Sequence, residues 1–187
     1  MSESISPDLL VTLRLRNLYF TRTAVQLLWA GVVLATAVTN PPVAAALLIA
    51  YPLWDVACTI HDLKSAASNA RTVQYLNVAL GIATAIGLGF TAFSQPAYAV
   101  AIFGGWALTA GFLQLVVGIL RKKQFGGQWA MILSGIQSAV AGVAFILGGL
   151  GGKLHIKDLG GYAIFGGLYF LIAGILLNRK LSSFARK

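Results

Sequence analysis

The sequence predicts an all-α membrane protein that crosses a bilayer six times, with its N- and C-termini on the cytoplasmic side. Charge is scarce. Of 187 residues, 58% are apolar and 10% charged, and the mean hydropathy is +0.80, whereas a soluble domain carries about 25% charged residues. Six apolar runs reach the roughly 17–25 residues that a helix needs to span hydrocarbon. The cations gather at one end of these runs and are nearly missing from the other.

Each element follows from local chemistry. Residues 1–22 form a cytoplasmic lead-in; the apolar residues of Pro7–Arg22 do not gather on one face, so no structure is assigned to them. The first span, 23–39, lacks the short basic region and small-residue cleavage pattern of a signal peptide and reads as a retained anchor. Asn40-Pro41-Pro42 ends it, because proline donates no backbone hydrogen bond and bars helix before it. The second span is 43–60 and the third 73–93, which Ser94-Gln95-Pro96 closes. The fourth and fifth are 97–120 and 129–150, and the glycines of 148–152 loosen the chain before the sixth, 159–177. The six spans make one transmembrane domain, 23–178, and residues 179–187 form a basic cytoplasmic tail.

Orientation follows the cations. One side receives Arg14, Arg16, Arg22, Lys64, Arg71, Arg121, Lys122, Lys123, Arg179, Lys180, Arg186 and Lys187, and the other only Lys153 and Lys157. That bias puts both termini inside. The same distribution accounts for the net charge of +9 through contact with anionic lipid at the cytoplasmic face and argues against a nucleic-acid partner. Tyr75 and Trp129 at the inner ends, and Tyr98 and Tyr162 at the outer ends, suit interfacial belts. Cys58 is the single cysteine and can form no intrachain disulfide.

The spans read as three parallel copies of one helical hairpin. Gln74-Tyr75 leading to Gly81-Ile82 recurs 54 residues later as Gln128-Trp129 leading to Gly135-Ile136. Residues 101–105 of the fourth span (AIFGG) recur as residues 163–167 of the sixth. Glycines repeat every seven residues: Gly104, Gly111 and Gly118; Gly135, Gly142 and Gly149; Gly160, Gly167 and Gly174. Seven residues are nearly two turns, so each trio lies on one face. In lipid such a stripe lets backbones approach closely, which predicts tight packing among the last three helices or self-association into a homo-oligomer.

These residues resemble a family. A Trp-led helix with Ser134-Gly135-Ile136 and Ala141-Gly142 precedes Phe165-Gly166-Gly167, Ala173-Gly174-Ile175 and Arg179-Lys180, and Gly104-Gly105-Trp106 through Gly118-Ile119-Leu120-Arg121-Lys122 repeats half of that pattern. The pattern is similar to the HdeD-like short-repeat membrane proteins, and residues 51–55 (YPLWD) resemble an acidic stretch in the early hairpin of some relatives. The likeness runs from Leu18 to Lys180. It implies a bacterial inner-membrane protein of six helices, from a family most of whose members have no assigned activity; with no active site in the sequence, the expected role is non-enzymatic, structural or stress-related, such as acid resistance. No residue carries that last role over to this chain.

An ionisable group inside a membrane is costly and marks a candidate site. Asp55 is the clear case, five residues before the predicted inner end of its helix, with Thr59 and Asp62 on the same face. Arg22, or Gln26 one turn deeper, is its expected partner. The pair is either a buried anchor or, in the alternative function, the ion site of a small transporter or channel. His61 and Asp62 open the inner loop as weaker candidates. Gln114 and Gln137 point inward, as interhelical hydrogen-bonding groups or the wall of a polar path. Trp29, Trp54 and Trp106 fill core. His61, His155 and Cys58 cannot converge, so neither a metal nor another cofactor is expected, and no nucleophile, base and acid come together as an active site. A polar cavity containing Asp55 favours transport; a dry, glycine-packed interior favours the structural role.

Overall fold

The computed structural model of the chain describes residues 7–64, 68–125 and 128–184. They form six α-helices: α1 Pro7–Thr36, α2 Pro41–Leu63, α3 Ser68–Thr91, α4 Pro96–Phe125, α5 Trp129–Leu150 and α6 Asp158–Phe184. All six are long and apolar enough to cross a membrane. Residues 1–6 of the lead-in and 185–187 of the tail, with Arg186 and Lys187, lie outside the described residues, as does the side chain of Lys123.

The breaks between helices use the expected residues. Asn40 caps α2, its side chain accepting from the Val43 N–H at 3.4 Å, and Pro41 and Pro42 occupy the first helical positions. Pro96 opens α4. After α5, Gly152 turns the chain at φ +67, a conformation that costs glycine little.

Where the helices end differs from expectation. The lead-in, to which the sequence assigns no structure, is helix from Pro7 onward and continuous with the first span. α2 runs on to Leu63, α4 to Phe125 and α6 to Phe184. Hydropathy detects the part of a helix that sits in hydrocarbon, whereas its hydrogen-bond ladder continues into polar surroundings for as long as the residues tolerate it. α1, with 30 residues, is about 45 Å long at 1.5 Å per residue, against about 30 Å of hydrocarbon. The extensions put Arg22, Asp62 and Arg121 inside helices.

Consecutive helices pack side by side and α6 returns to α1, closing a ring. The most extensive interfaces are α4 on α5 and α6 on α1. On the first, glycine meets backbone. A Cβ at Gly104 would lie 2.7 Å from the Gly142 carbonyl oxygen, and one at Gly111 would lie 2.8 Å from that of Gly135. Gly118 meets the Ile132 side chain. The stripe of α6 works differently, as holes for side chains of α1: Leu34 sits at Gly160, Leu27 at Gly167 and Phe20 at Gly174. That register makes α6 antiparallel to α1, so the chain's two ends share one end of the bundle, the terminal end. The expectation of tight packing among the last three helices thus holds for α4 and α5 only. The α5–α6 interface is small, and the α6 stripe is taken up by α1.

The half of the ring away from the termini is filled by a dry cluster including Trp29, Val33, Leu48, Leu88, Phe103, Phe145 and Leu159. A smaller cluster of Leu15, Tyr19, Met131, Phe170 and Leu177 joins α1, α5 and α6 at the terminal end. Tyr162 belongs to the interior and is no interfacial residue: its hydroxyl lies 2.7 Å from Ser138 Oγ. Tyr75, Tyr98 and Trp129 are exposed on the outside.

Candidate functional site

Two polar helix faces meet between α2 and α3. Asp55, Thr59 and Asp62 recur at four and three residues along α2, and Gln74 and Asn77 are one turn apart on α3. Because the helices run antiparallel, the faces pair in reverse order. Gln74 Nε2 donates to Asp62 Oδ2 at 2.6 Å. Asn77 Nδ2 donates to Asp55 Oδ2 at 2.6 Å and to Thr59 Oγ1 at 3.1 Å. Gly81, one turn further along α3, brings the two backbones together beside Val56 and Pro52.

Each acid also holds an arginine from another helix. Arg22 of α1 lies 2.9 Å from Asp55 and Arg121 of α4 lies 2.7 Å from Asp62. All four side chains are largely buried, Arg121 to 7% exposure. The Arg22 guanidinium also stacks 4.8 Å over the Phe170 ring. The site therefore contains two positive and two negative groups, drawn from three helices, with α3 supplying neutral donors.

These groups line a cavity of about 100 Å³ to which all six helices contribute. Its wall runs from Asp62, Gln74 and Arg121 near the terminal end, past Asp55 and Gln114, to Tyr51, Trp106 and Tyr162. A water centre needs roughly 10–15 Å³ of such space, so the chamber has room for several waters or one small solute. Beyond the deep end the aromatic rings interlock. Tyr51 lies 4.5 Å from Trp29 and 5.6 Å from Phe103, and Tyr162 lies 5.8 Å from both Phe103 and Phe145, measured between ring centroids. The ion pairs thus line the chamber toward the terminal end, and the aromatic rings pack beyond the other.

The predicted site residues separate into two groups. Asp55, Arg22, Thr59 and Asp62 come together as described. Asp55 lies eight residues before the end of α2, about 12 Å along the axis at 1.5 Å per residue. Gln26 forms no hydrogen bond to Asp55; it is buried on the chamber wall beside Gly166. Asp62 is no loop residue, and His61 beside it points outward and is exposed. Gln114 donates to the Met131 carbonyl across the α4–α5 interface at 3.2 Å, and Gln137 is half-buried on the wall. Trp29 donates to the Leu47 carbonyl at 2.8 Å and fills core, Trp106 belongs to the same core cluster and also lines the chamber, and Trp54 lines the chamber. Among the described residues no group of three or more His, Cys, Asp or Glu could hold a metal.

Three contributors escape the sequence reading: Arg121, Gln74 and Asn77. Their spacing carries a usable signal. Gly111, Gln114, Gly118 and Arg121 fall at three, four and three residues on the inward face of α4. Gln74, Asn77 and Gly81 mirror the face of α2 that bears the acids. The chain matches no known family model, no curated protein and no solved structure.

Proposed function

We propose that this chain is a non-enzymatic, multi-pass bacterial inner-membrane protein that takes a small polar solute into its interior, as a transporter or a solute-binding protein. Its termini and chamber mouth face the cytoplasm, and its six helices are three parallel hairpins. One observation carries the reading: a chamber lined by both buried ion pairs, with interlocked aromatic rings beyond its deep end. A purely structural bundle gains nothing from such a chamber, since an ion pair in its interior is no more stabilising than well-packed apolar side chains. A through-pore does not fit either, because the dry cluster closes the far half.

The orientation rests on the cation bias, and the basic terminal end would meet anionic headgroups there. The structural or stress-related role implied by the HdeD-like resemblance has one feature in its favour, the glycine-to-backbone contact of α4 and α5, which would make a rigid scaffold. The chamber outweighs it.

The test is access. In a Cys58→Ala background, Gln137→Cys sits on the chamber wall. An impermeant thiol reagent is expected to label it in inverted vesicles and to leave it unlabelled in right-side-out vesicles. Labelling only after denaturation would dismiss a solute-accessible chamber.

A further inference from the structure

The two ion pairs differ in what they join. Arg22 and Asp55 stand on neighbouring helices, α1 and α2. Arg121 and Asp62 stand on α4 and α2, which meet only slightly because α3 lies between them in the ring. Their 2.7 Å contact therefore runs across the interior instead of along an interface between neighbours. The Tyr19 hydroxyl of α1 accepts a hydrogen bond from the same guanidinium, so one side chain of α4 ties together α1, α2 and α4.

The place of this cluster is as particular as its partners. Among the described residues, the chamber lining ends on the terminal side at Leu18, Asp62, Val73, Arg121, Gln128 and Phe170. The crossing pair belongs to that rim. Asp62 is the next-to-last residue of α2, and Arg121 lies four residues before the end of α4, about 6 Å at 1.5 Å per residue. A long cationic side chain so near a helix end ordinarily extends to interfacial water. Arg121 instead turns inward, and Tyr19, Gln74, Arg121 and Gln128 are each more than nine-tenths buried.

An ion pair spans this end where apolar side chains would have been no less stabilising. It differs from them in what separation leaves behind. Asp62 would keep the Gln74 amide, 2.6 Å away, and Arg121 is close enough to the end of α4 to reach water, so neither charge is stranded. The inner pair has no such exit: Asp55 lies eight residues from the end of α2, and Arg22 stacks over Phe170. We propose that Arg121 and Asp62 form a latch across the terminal end of the chamber, engaged in this structure and released when Arg121 swings outward. The latch rests on the solute-accessible chamber proposed above and adds how access to it is controlled.

The test measures how fast an impermeant thiol reagent labels Gln137→Cys, in the Cys58→Ala background, from the terminal side of membrane vesicles. With the latch intact, the rate reflects spontaneous openings. Asp62→Asn with Arg121→Gln removes both charges together and is expected to speed labelling at least tenfold, with none from the opposite side. Arg121→Lys keeps the charge but replaces the planar fork that holds Asp62 and Tyr19, and is expected to speed labelling at least threefold; it decides the matter if the double variant does not elute as a single species. A second measurement uses the native Cys58, which is buried and does not line the chamber. In the double variant that retains Cys58 and Gln137, its labelling is expected to stay at the native rate. If Cys58 speeds up as much as Gln137→Cys, the whole bundle has loosened and the latch is wrong. If Gln137→Cys is labelled at one rate with and without the pair, the chamber stands and the latch is wrong. If it is labelled in no variant, the underlying reading fails and the latch with it.

Discussion

An aspartate near the centre of a membrane helix costs about 2.5–3.5 kcal/mol, and α2 carries two acids that the fold turns inward. The cost is offset by an arginine and an amide at each: Arg22 and Asn77 at Asp55, Arg121 and Gln74 at Asp62. Removing one partner strands the other charge. Asp55→Asn is therefore expected to lower stability by about 3–5 kcal/mol, read as a fall in the thermal midpoint of the detergent-solubilised protein. Replacing both partners, with Arg22→Met and Asp55→Leu together, is expected to recover most of that loss and to abolish solute binding. A double variant no more stable than Asp55→Asn would mean that the pair contributes more than mutual neutralisation. Asp55 was legible in the sequence because an acid in an apolar run has no other neighbours to explain it, and Arg22 because it ends the basic stretch closest to it. Arg121 was not, since it stands first in an Arg-Lys-Lys run whose other members are ordinary interfacial cations. Only its place on the inward face of α4, seven residues after Gln114, separates it from them.

The helices show that two identical-looking glycine repeats do different work. At Gly142 an added methyl would run into the Leu108 backbone nitrogen and lie 2.6 Å from the Gly104 carbonyl oxygen, so α4 and α5 would have to part. At Gly167 the nearest atom is the tip of Leu27, at 3.3 Å, which can turn aside. Alanine also gains about 0.8–1.0 kcal/mol of helix propensity over glycine. Gly142→Ala is thus expected to lose about 1–3 kcal/mol from overpacking, whereas Gly167→Ala should fall within about 0.5 kcal/mol of the native chain. Equal midpoints for the two variants in a thermal melt would contradict the distinction between backbone contact and side-chain hole. The periodicity of glycine was visible from sequence, but its partner was not, because a stripe shows which face packs and says nothing of which helix faces it. The spans themselves were legible through hydropathy and the prolines at their breaks. Their terminal-end extensions were not, because residues such as Leu15, Arg16 and Tyr19 satisfy a helix without forming a one-sided apolar pattern.

At the scale of the whole molecule, a ring of six helices carries its buried ion pairs toward the terminal end and its larger apolar cluster toward the other, and under the proposed function the aromatic layer between them decides whether solute can pass. Phe103 stands at its centre: it is fully buried, with Tyr51, Trp106, Phe145 and Tyr162 all around it. Passage through the ring would require these rings to separate, and the least extensive interface between neighbouring helices of the ring, α1 against α2, carries the Trp29–Tyr51 contact. Phe103→Ala removes the central ring at a cost of about 3–5 kcal/mol, so folding must be checked by the variant's elution as a single species in detergent. In the folded variant, Gln137→Cys is expected to become reactive from the side opposite the termini, where the native ring shields it, while Phe103→Leu keeps it shielded. If the folded Phe103→Ala variant stays unreactive from that side, the barrier lies further along, among Val33, Leu48, Leu88 and Leu159 of the dry cluster. The aromatic layer would then be the floor of a binding site and not its gate, and a solute-binding role would be favoured over transport.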